Sequence, residues 1–300
     1  VTEALRGHAA MLAFSMLVAG SFSLGGLAAN EIAPIALNFV RFVLAAGFVA
    51  FMGWASGTMR RSDFEAPWRY VLLGGLFSVY FVLMFEALKT APPVNTAVVF
   101  TLTPLLAAGF GWILLRQRLG AWSALALAIG GAGAVWVIFR GSFEAMRAFE
   151  VGRGEAIFFA GTVAHALYVP AARLWSRGAS PFGFTLGILL GGALVQGIVG
   201  APALMATDWA ALPRVAWITI FYTAFLATSF TFTLVYFATL RLPSAKVMAY
   251  TYLTPSWVIL WEIGLGQGLP PATVLAGVGL TILSLGILLG TPDRGGAPAA

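Results

Sequence analysis

The stretch FTLTPL at residues 100–105 is answered by TYLTPS at 251–256. Leu-Thr-Pro recurs at an offset of 151 in a chain of 300 residues, each time inside an apolar run. Without gaps, the same offset aligns Ser78 with Ser229, Phe81 with Phe232, Leu83 with Leu234 and Ala87 with Ala238. It also aligns Pro92 with Pro243 and Leu102-Thr103-Pro104 with Leu253-Thr254-Pro255. That is eight identities over 27 positions, where so apolar a chain gives about two or three by accident. The two halves read as duplicates.

Composition sets the solvent. Hydrophobic residues make up 60% of the chain, charged residues only 9%, and the mean hydropathy is +0.92. A soluble domain carries about 25% charged residues, so this chain lacks the polar surface to face water. Apolar runs approach or pass the ~20 residues that span a bilayer as a helix, and they recur throughout. The chain is an all-α polytopic membrane protein in contact with the lipid bilayer. The net charge of +6 comes from Lys and Arg scattered at the ends of apolar runs. It sets topology and does not make a nucleic-acid surface. There are no cysteines, so disulfides and thiolate metal sites are excluded. No metal or cofactor is expected.

Ten spans are predicted, near 8–28, 33–55, 69–89, 94–115, 120–140, 154–174, 181–203, 213–239, 244–264 and 270–290. The N-terminal apolar run, Ala9 to Leu27, exceeds a signal-peptide core of roughly 7–15 residues and reads as a retained first span. With the N-terminus inside, the inner segments hold Arg6, Arg60, Arg61, Arg69, Arg116, Arg118, Arg173, Arg177, Arg241, Lys246 and Arg294. The outer segments hold Lys89, Arg140, Arg147, Arg153 and Arg214. The excess of basic residues on the inner side predicts that both termini are cytoplasmic.

Each half holds five spans, an odd number, so the second must enter the membrane the opposite way round. Residues 8–140 form the first five-helix repeat, 141–153 a connecting loop, 154–290 the second repeat and 291–300 a cytoplasmic tail. An inverted repeat places the substrate near the midplane, in a central cavity between the halves. Pro104 and Pro255 each fall near the middle of a span. Each removes a donor and frees the carbonyl four residues earlier, at Phe100 and Thr251, which predicts paired kinks able to act as hinges.

These features resemble the drug/metabolite transporter superfamily, in particular its ten-helix EamA-type members. The motifs are NFVRF (38–42), FEALKTAPPVNTAVVFTLTP (85–104) and its second-half echo YFATLRLPSAKVMAYTYLTP (236–255). Within the family the chain is most similar to exporters of aromatic amino acids. The resemblance implies a bacterial inner-membrane exporter or facilitator of small organic metabolites, with neutral or aromatic amino acids foremost, working by alternating access. One departure is LLRQRLG at 114–120, where members often carry an acidic residue.

Ionisable groups inside spans are rare and costly, so each is a functional candidate. Arg41 in span two suits a substrate carboxylate or a structural or gating ion pair with Glu86. The pair is favoured, because both sit at similar depth and unpaired burial is expensive. Glu86 and Glu262 lie near span ends and can reach the interface. His165, near the middle of span six, needs a hydrogen-bond partner, and Tyr168 is one turn away; both are candidates for substrate contact.

The other candidates for substrate contact are Tyr80, Met84, Phe100, Thr101, Thr103, Ser229, Tyr250, Tyr252 and Thr254, in spans three, four, eight and nine. Tyr80 and Met84 share a helix face, as do Phe100 and Thr103. Rings give apolar contact and hydroxyls fix the polar end of a neutral or zwitterionic solute. No Asp or Glu occurs in mid-span, so a facilitator without a proton relay is expected.

A proton-coupled drug or metabolite efflux carrier is the alternative, followed by a channel or lipid scramblase. A membrane transferase would need acidic metal–diphosphate motifs or histidine clusters, and only His8 and His165 are present. The expected state is a monomer or weak homodimer. GGAGA (130–134) and the second GILLG (286–290) would supply the dimer face, and the first GILLG (187–191) close helix packing.

Overall fold

A computed structural model of the chain describes residues 2–117, 120–242 and 244–290. Arg118, Pro243 and the tail 291–300 with Arg294 lie outside the described residues. Every regular element within them is helical. In a bilayer core no water pairs with backbone groups, and a helix satisfies them within one segment.

Among the described residues, nine helical segments are long and apolar enough to cross a membrane. They are Glu3–Ala28, Pro34–Ala55, Trp68–Ala87, Pro93–Leu115, Ala121–Ile138, Arg153–Trp175, Pro181–Val199, Arg214–Thr239 and Ala272–Gly290. In chain order these are spans one to eight and span ten. Span nine is broken into Ser244–Ala249, a 3-10 turn at Tyr250–Leu253, and Thr254–Gly264. Its pieces together cover the predicted 244–264, while none alone has the length of a crossing helix.

Neighbour relations obey an inverted two-fold. Span three packs on spans six and seven, and its duplicate, span eight, packs on spans one and two. Span four meets span six as span nine meets span one. The pairs two–seven, four–nine and five–ten, each related to itself by the two-fold, also touch. Small residues allow these approaches. A methyl group added at Gly74 of span three would lie 2.2 Å from the Gly192 nitrogen of span seven.

GGAGA and the second GILLG, expected at a dimer face, differ in what they meet inside the subunit. The glycines of GGAGA are used inside the subunit: Gly130 faces Tyr252, Gly131 faces Leu105 and Gly133 faces the Gly277 backbone. Gly286 and Gly290 of the second GILLG face open space. The first GILLG does pack closely, with Gly187 against the Tyr70 ring and Gly191 against the Tyr70 backbone.

The prolines act differently from the simple kink predicted. Span four stops at Phe100 and restarts at Thr103, and span nine restarts at Thr254, so each proline is in the first turn of a new helix segment. There the missing donor is one that a helix start leaves unpaired anyway. Three-residue bonds bridge the first break, from Thr101 N to Val98 O (3.0 Å) and Leu102 N to Val99 O (3.1 Å).

Glutamates clasp the two ends of the bundle. Glu3, opening span one, pairs with Arg241 of the turn between spans eight and nine (2.7 Å). Glu155, near the start of span six, accepts from Asn95 at the start of span four (3.0 Å). The first clasp is exposed and the second part-buried.

Candidate functional site

Spans three, four and six bring a set of rings together where the halves meet. The His165 ring lies over Tyr80, centroids 4.4 Å apart and 27° between planes, with Phe100 at 5.6 Å. Phe77 stacks on Tyr168 at 5.0 Å, and Phe158 and Phe22 close the far side against Tyr80 and Phe100. Ring pairs at these separations attract beyond their buried area, by about 0.5–1.5 kcal/mol each. Four predicted residues, Tyr80, Phe100, His165 and Tyr168, are thus assembled. Met84, one turn from Tyr80, is buried beside them in the main core.

The predicted hydrogen bond from His165 to Tyr168 is replaced by stacking. The rings are nearly parallel at 11° with centroids 6.0 Å apart, and His165 Nδ1 has no hydrogen-bond partner. Tyr168 stacks because it shares the ring face that Phe77 presents from span three.

Thr103 and Thr254, the symmetry mates in Leu-Thr-Pro, are also buried with unpartnered hydroxyls. Ser23, Thr162 and Ser256 add three more such oxygens. All sit on spans one, four, six and nine, which the two-fold exchanges in pairs. Buried polar atoms without partners are exceptional in folded proteins. Concentrated on one group of helices, they are available to a polar solute or water.

The remaining candidates lie elsewhere or are already engaged. Thr101 Oγ1 donates to Val98 O (2.6 Å), and Ser229 Oγ to Ala224 O (2.9 Å). Tyr250 hydrogen-bonds His8 Nδ1 (2.9 Å) at the N-terminal end of span one. Tyr252 packs against Gly130 of span five and Leu285 of span ten. The 3-10 turn carries these two tyrosines to different neighbours, away from the ring cluster.

The Arg41–Glu86 ion pair is not formed. Glu86 pairs instead with Lys89, three residues on (2.6 Å), and that pair is partly exposed. Glu262 forms no ion pair among the described residues and is only partly buried. Arg41 is 1% exposed and turns to the other half. Its Nε and Nη2 donate to Thr228 Oγ1 of span eight at 3.0 and 2.9 Å, and its guanidinium carbon lies 3.7 Å from the Phe81 ring centroid. Across the two-fold, Gln196 of span seven donates to Ser78 Oγ of span three (2.7 Å). One polar tether thus crosses each of the equivalent contacts two–eight and seven–three.

Two functional features had little sequence signal. Thr228 lies in a π-helical stretch, Tyr222–Phe230, in the middle of span eight. Such turns are rare and gather at functional sites, and no proline or insertion announces this one. The second is a buried polar lock at the N-terminal end of the bundle. Asp63, 2% exposed, accepts from Ser180 Oγ (2.5 Å), Ser180 N (3.0 Å) and Arg60 N (2.9 Å). Burial alone would raise its carboxyl, but these hydrogen bonds and the nearby Arg60 hold it below the ordinary carboxylate value. Arg69 donates to the carbonyls of Trp175 (2.8 Å) and Asp63 (2.7 Å). Loop 56–67 is thereby fastened to the turn between spans six and seven. Asp63 and Glu65, set beside Arg60 and Arg61 in that loop, were the one signal available.

A groove of 640 Å³ runs along span eight beside Trp217, Phe221 and Phe225. Its lining is largely apolar, with Arg214 and Tyr222 the polar residues on it, and it opens outward.

Comparison with known proteins fits this architecture. The EamA-like transporter family profile matches twice, over residues 5–139 and 152–290. The chain belongs to the EamA-like transporter family. An uncharacterized transporter of Bacillus subtilis (strain 168), YyaM, is 24% identical over 281 residues, covering 93% of this chain and 91% of that protein. An uncharacterized transporter of Archaeoglobus fulgidus is 24% identical over 260 residues, covering 84% and 86%. A solved crystal structure shares the fold at a TM-score of 0.66, with 20% identity and 95% of both chains covered. This EamA-like chain is therefore a multi-pass membrane protein of a transporter family. Its doubled family match coincides with the two halves that the Leu-Thr-Pro repeat marks.

Proposed function

We propose that the protein carries neutral and aromatic amino acids across a bacterial inner membrane by alternating access, with both termini in the cytoplasm. The observation that carries this reading is the ring cluster of Tyr80, Phe100, His165 and Tyr168, taken with the buried, unpartnered hydroxyls of Thr103, three residues on from Phe100, and of its symmetry mate Thr254. Stacked rings offer an aromatic side chain a matching surface, and free hydroxyls fix a polar end. The broken spans four and nine, restarting at Thr103-Pro104 and Thr254-Pro255, act as the hinges. Transport follows the substrate gradient, because among the described residues no carboxylate is stacked into or bonded to these rings to pass a proton.

The experiment is counterflow of labelled phenylalanine, tyrosine, leucine and lysine in liposomes, with and without an uncoupler. Saturable counterflow of the first three, unchanged by the uncoupler, is the expected result. Flux that rises linearly with concentration would mean a pore, and an uncoupler that abolishes accumulation would mean proton coupling.

A further inference from the structure

We propose that Arg41 is the counter-charge for a carboxylate on the solute, so that the carrier selects apolar and aromatic acids, amino acids included, over the corresponding amines and amides. This rests on the reading of the ring cluster as the substrate site and narrows it.

Arg41 is buried within a membrane span, and among the described residues no carboxylate pairs with it. Its neighbours are neutral: the Thr228 hydroxyl, the Asn38 amide oxygen at a long 3.5 Å, and the Phe81 ring face. A charge taken out of water without an opposite charge is costly, and inside a membrane such a residue is functional by default.

A guanidinium has five N–H donors. Nε gives its only one to Thr228, Nη2 gives one to Thr228 and Nη1 gives one to Asn38. One N–H on each terminal nitrogen is left over. Two donors on neighbouring nitrogens are what a carboxylate accepts in a bidentate pair.

Placement agrees with the donor count. Phe81, under the Arg41 cation, touches both Tyr80 and Phe77, at centroid distances of 4.6 and 4.7 Å. Phe77 leads on to Tyr168 and His165. A solute with its ring among these side chains has its carboxylate on the Arg41 side. Thr228 lies in the π-helical stretch of span eight, so the residue sharing Arg41 belongs to a locally irregular segment able to exchange partners.

The test compares acids with their amides on purified protein. Thermal stabilisation is titrated with benzoate and phenylacetate, and with benzamide and phenylacetamide, for wild type, Arg41→Lys and Arg41→Gln. Wild type should respond to the acids at concentrations at least tenfold below the amides. Arg41→Lys should keep part of that preference and Arg41→Gln should lose it. Equal response of wild type to acid and amide, no response to the acids, or an undiminished preference in Arg41→Gln would each overturn the proposal.

If Arg41→Gln does not fold, the wild-type comparison and Arg41→Lys still decide. Liposome counterflow separates the two readings. An acid preference at Arg41 without counterflow of any amino acid defeats the amino-acid assignment alone. Counterflow without an acid preference defeats the role of Arg41 alone.

Discussion

Gly133 and Gly277 meet backbone to backbone across the two-fold: a methyl group added to either would stand 2.7 Å from the carbonyl oxygen of the other. No side chain can move aside to relieve such a contact, so spans five and ten must separate if either residue grows. Gly133→Val and Gly277→Val should each destabilise the protein by about 1–3 kcal/mol. Gly279→Val, facing open space, should stay within about 0.5 kcal/mol of wild type. Melting in detergent checks all three, and an unperturbed Gly133→Val would contradict the crossing described.

The lock around Asp63 makes a statement about acid. A carboxyl held below its unfolded value stabilises the fold fully above the unfolded value, near pH 4. That contribution fades as pH falls through the lower, folded value. Asp63→Asn should therefore melt earlier than wild type by a constant margin above about pH 5, and the margin should shrink below about pH 4. Loss of the charge-assisted bonds should cost about 1.5–3 kcal/mol at neutral pH. A margin that grows in acid would show that the carboxyl is not held low.

The ring cluster predicts which solutes suffer when it is trimmed. Tyr80→Leu keeps apolar bulk and removes the stack on His165. It should raise the half-saturation concentration for phenylalanine about two- to tenfold, the worth of one aromatic pair, and change that for leucine less. Counterflow competition measures both. Equal effects on the two solutes would place the ring outside the site.

The paired helix restarts predict a split between binding and turnover. Alanine at positions 104 and 255 removes the proline that disfavours a continuous helix by about 3 kcal/mol or more. Pro104→Ala with Pro255→Ala should slow exchange at least tenfold while leaving the half-saturation concentration close to wild type. Unchanged exchange would mean that the breaks do not move during transport.

Much of the architecture was legible because periodic and compositional signals are local and additive. Apolar runs marked ten spans, nine of which are helices of crossing length among the described residues, and the offset linking Thr103 to Thr254 exposed the duplication. What stayed hidden depended on azimuth, the direction a side chain takes around its helix. Depth along span two suggested Glu86 as the partner of Arg41, but Arg41 faces span eight and Glu86 folds onto Lys89.

Tyr250 and Tyr252 looked equivalent to Tyr80 because the 3-10 turn that redirects them leaves no mark in the residues. Helix breaks bridged by three-residue bonds, and a π-helical stretch needing no extra residue, shift azimuth without altering composition. The candidate site was therefore half legible: the expected rings of spans three, four and six do come together, while the tether from Arg41 to Thr228 was not foreseen.

Tyr70 and Phe221 hold the same place in the two halves, yet one is 4% exposed inside the polar lock and the other 48% exposed on the side of span eight. The two ends of the bundle are thus fastened unequally: the buried network of Asp63, Arg69 and Ser180 holds one, and a single Asn95–Glu155 hydrogen bond the other. A passage held more firmly at one mouth than at the other has a preferred resting posture. Forward and reverse traffic through it should run at different speeds, which oriented vesicles loaded from either side would register.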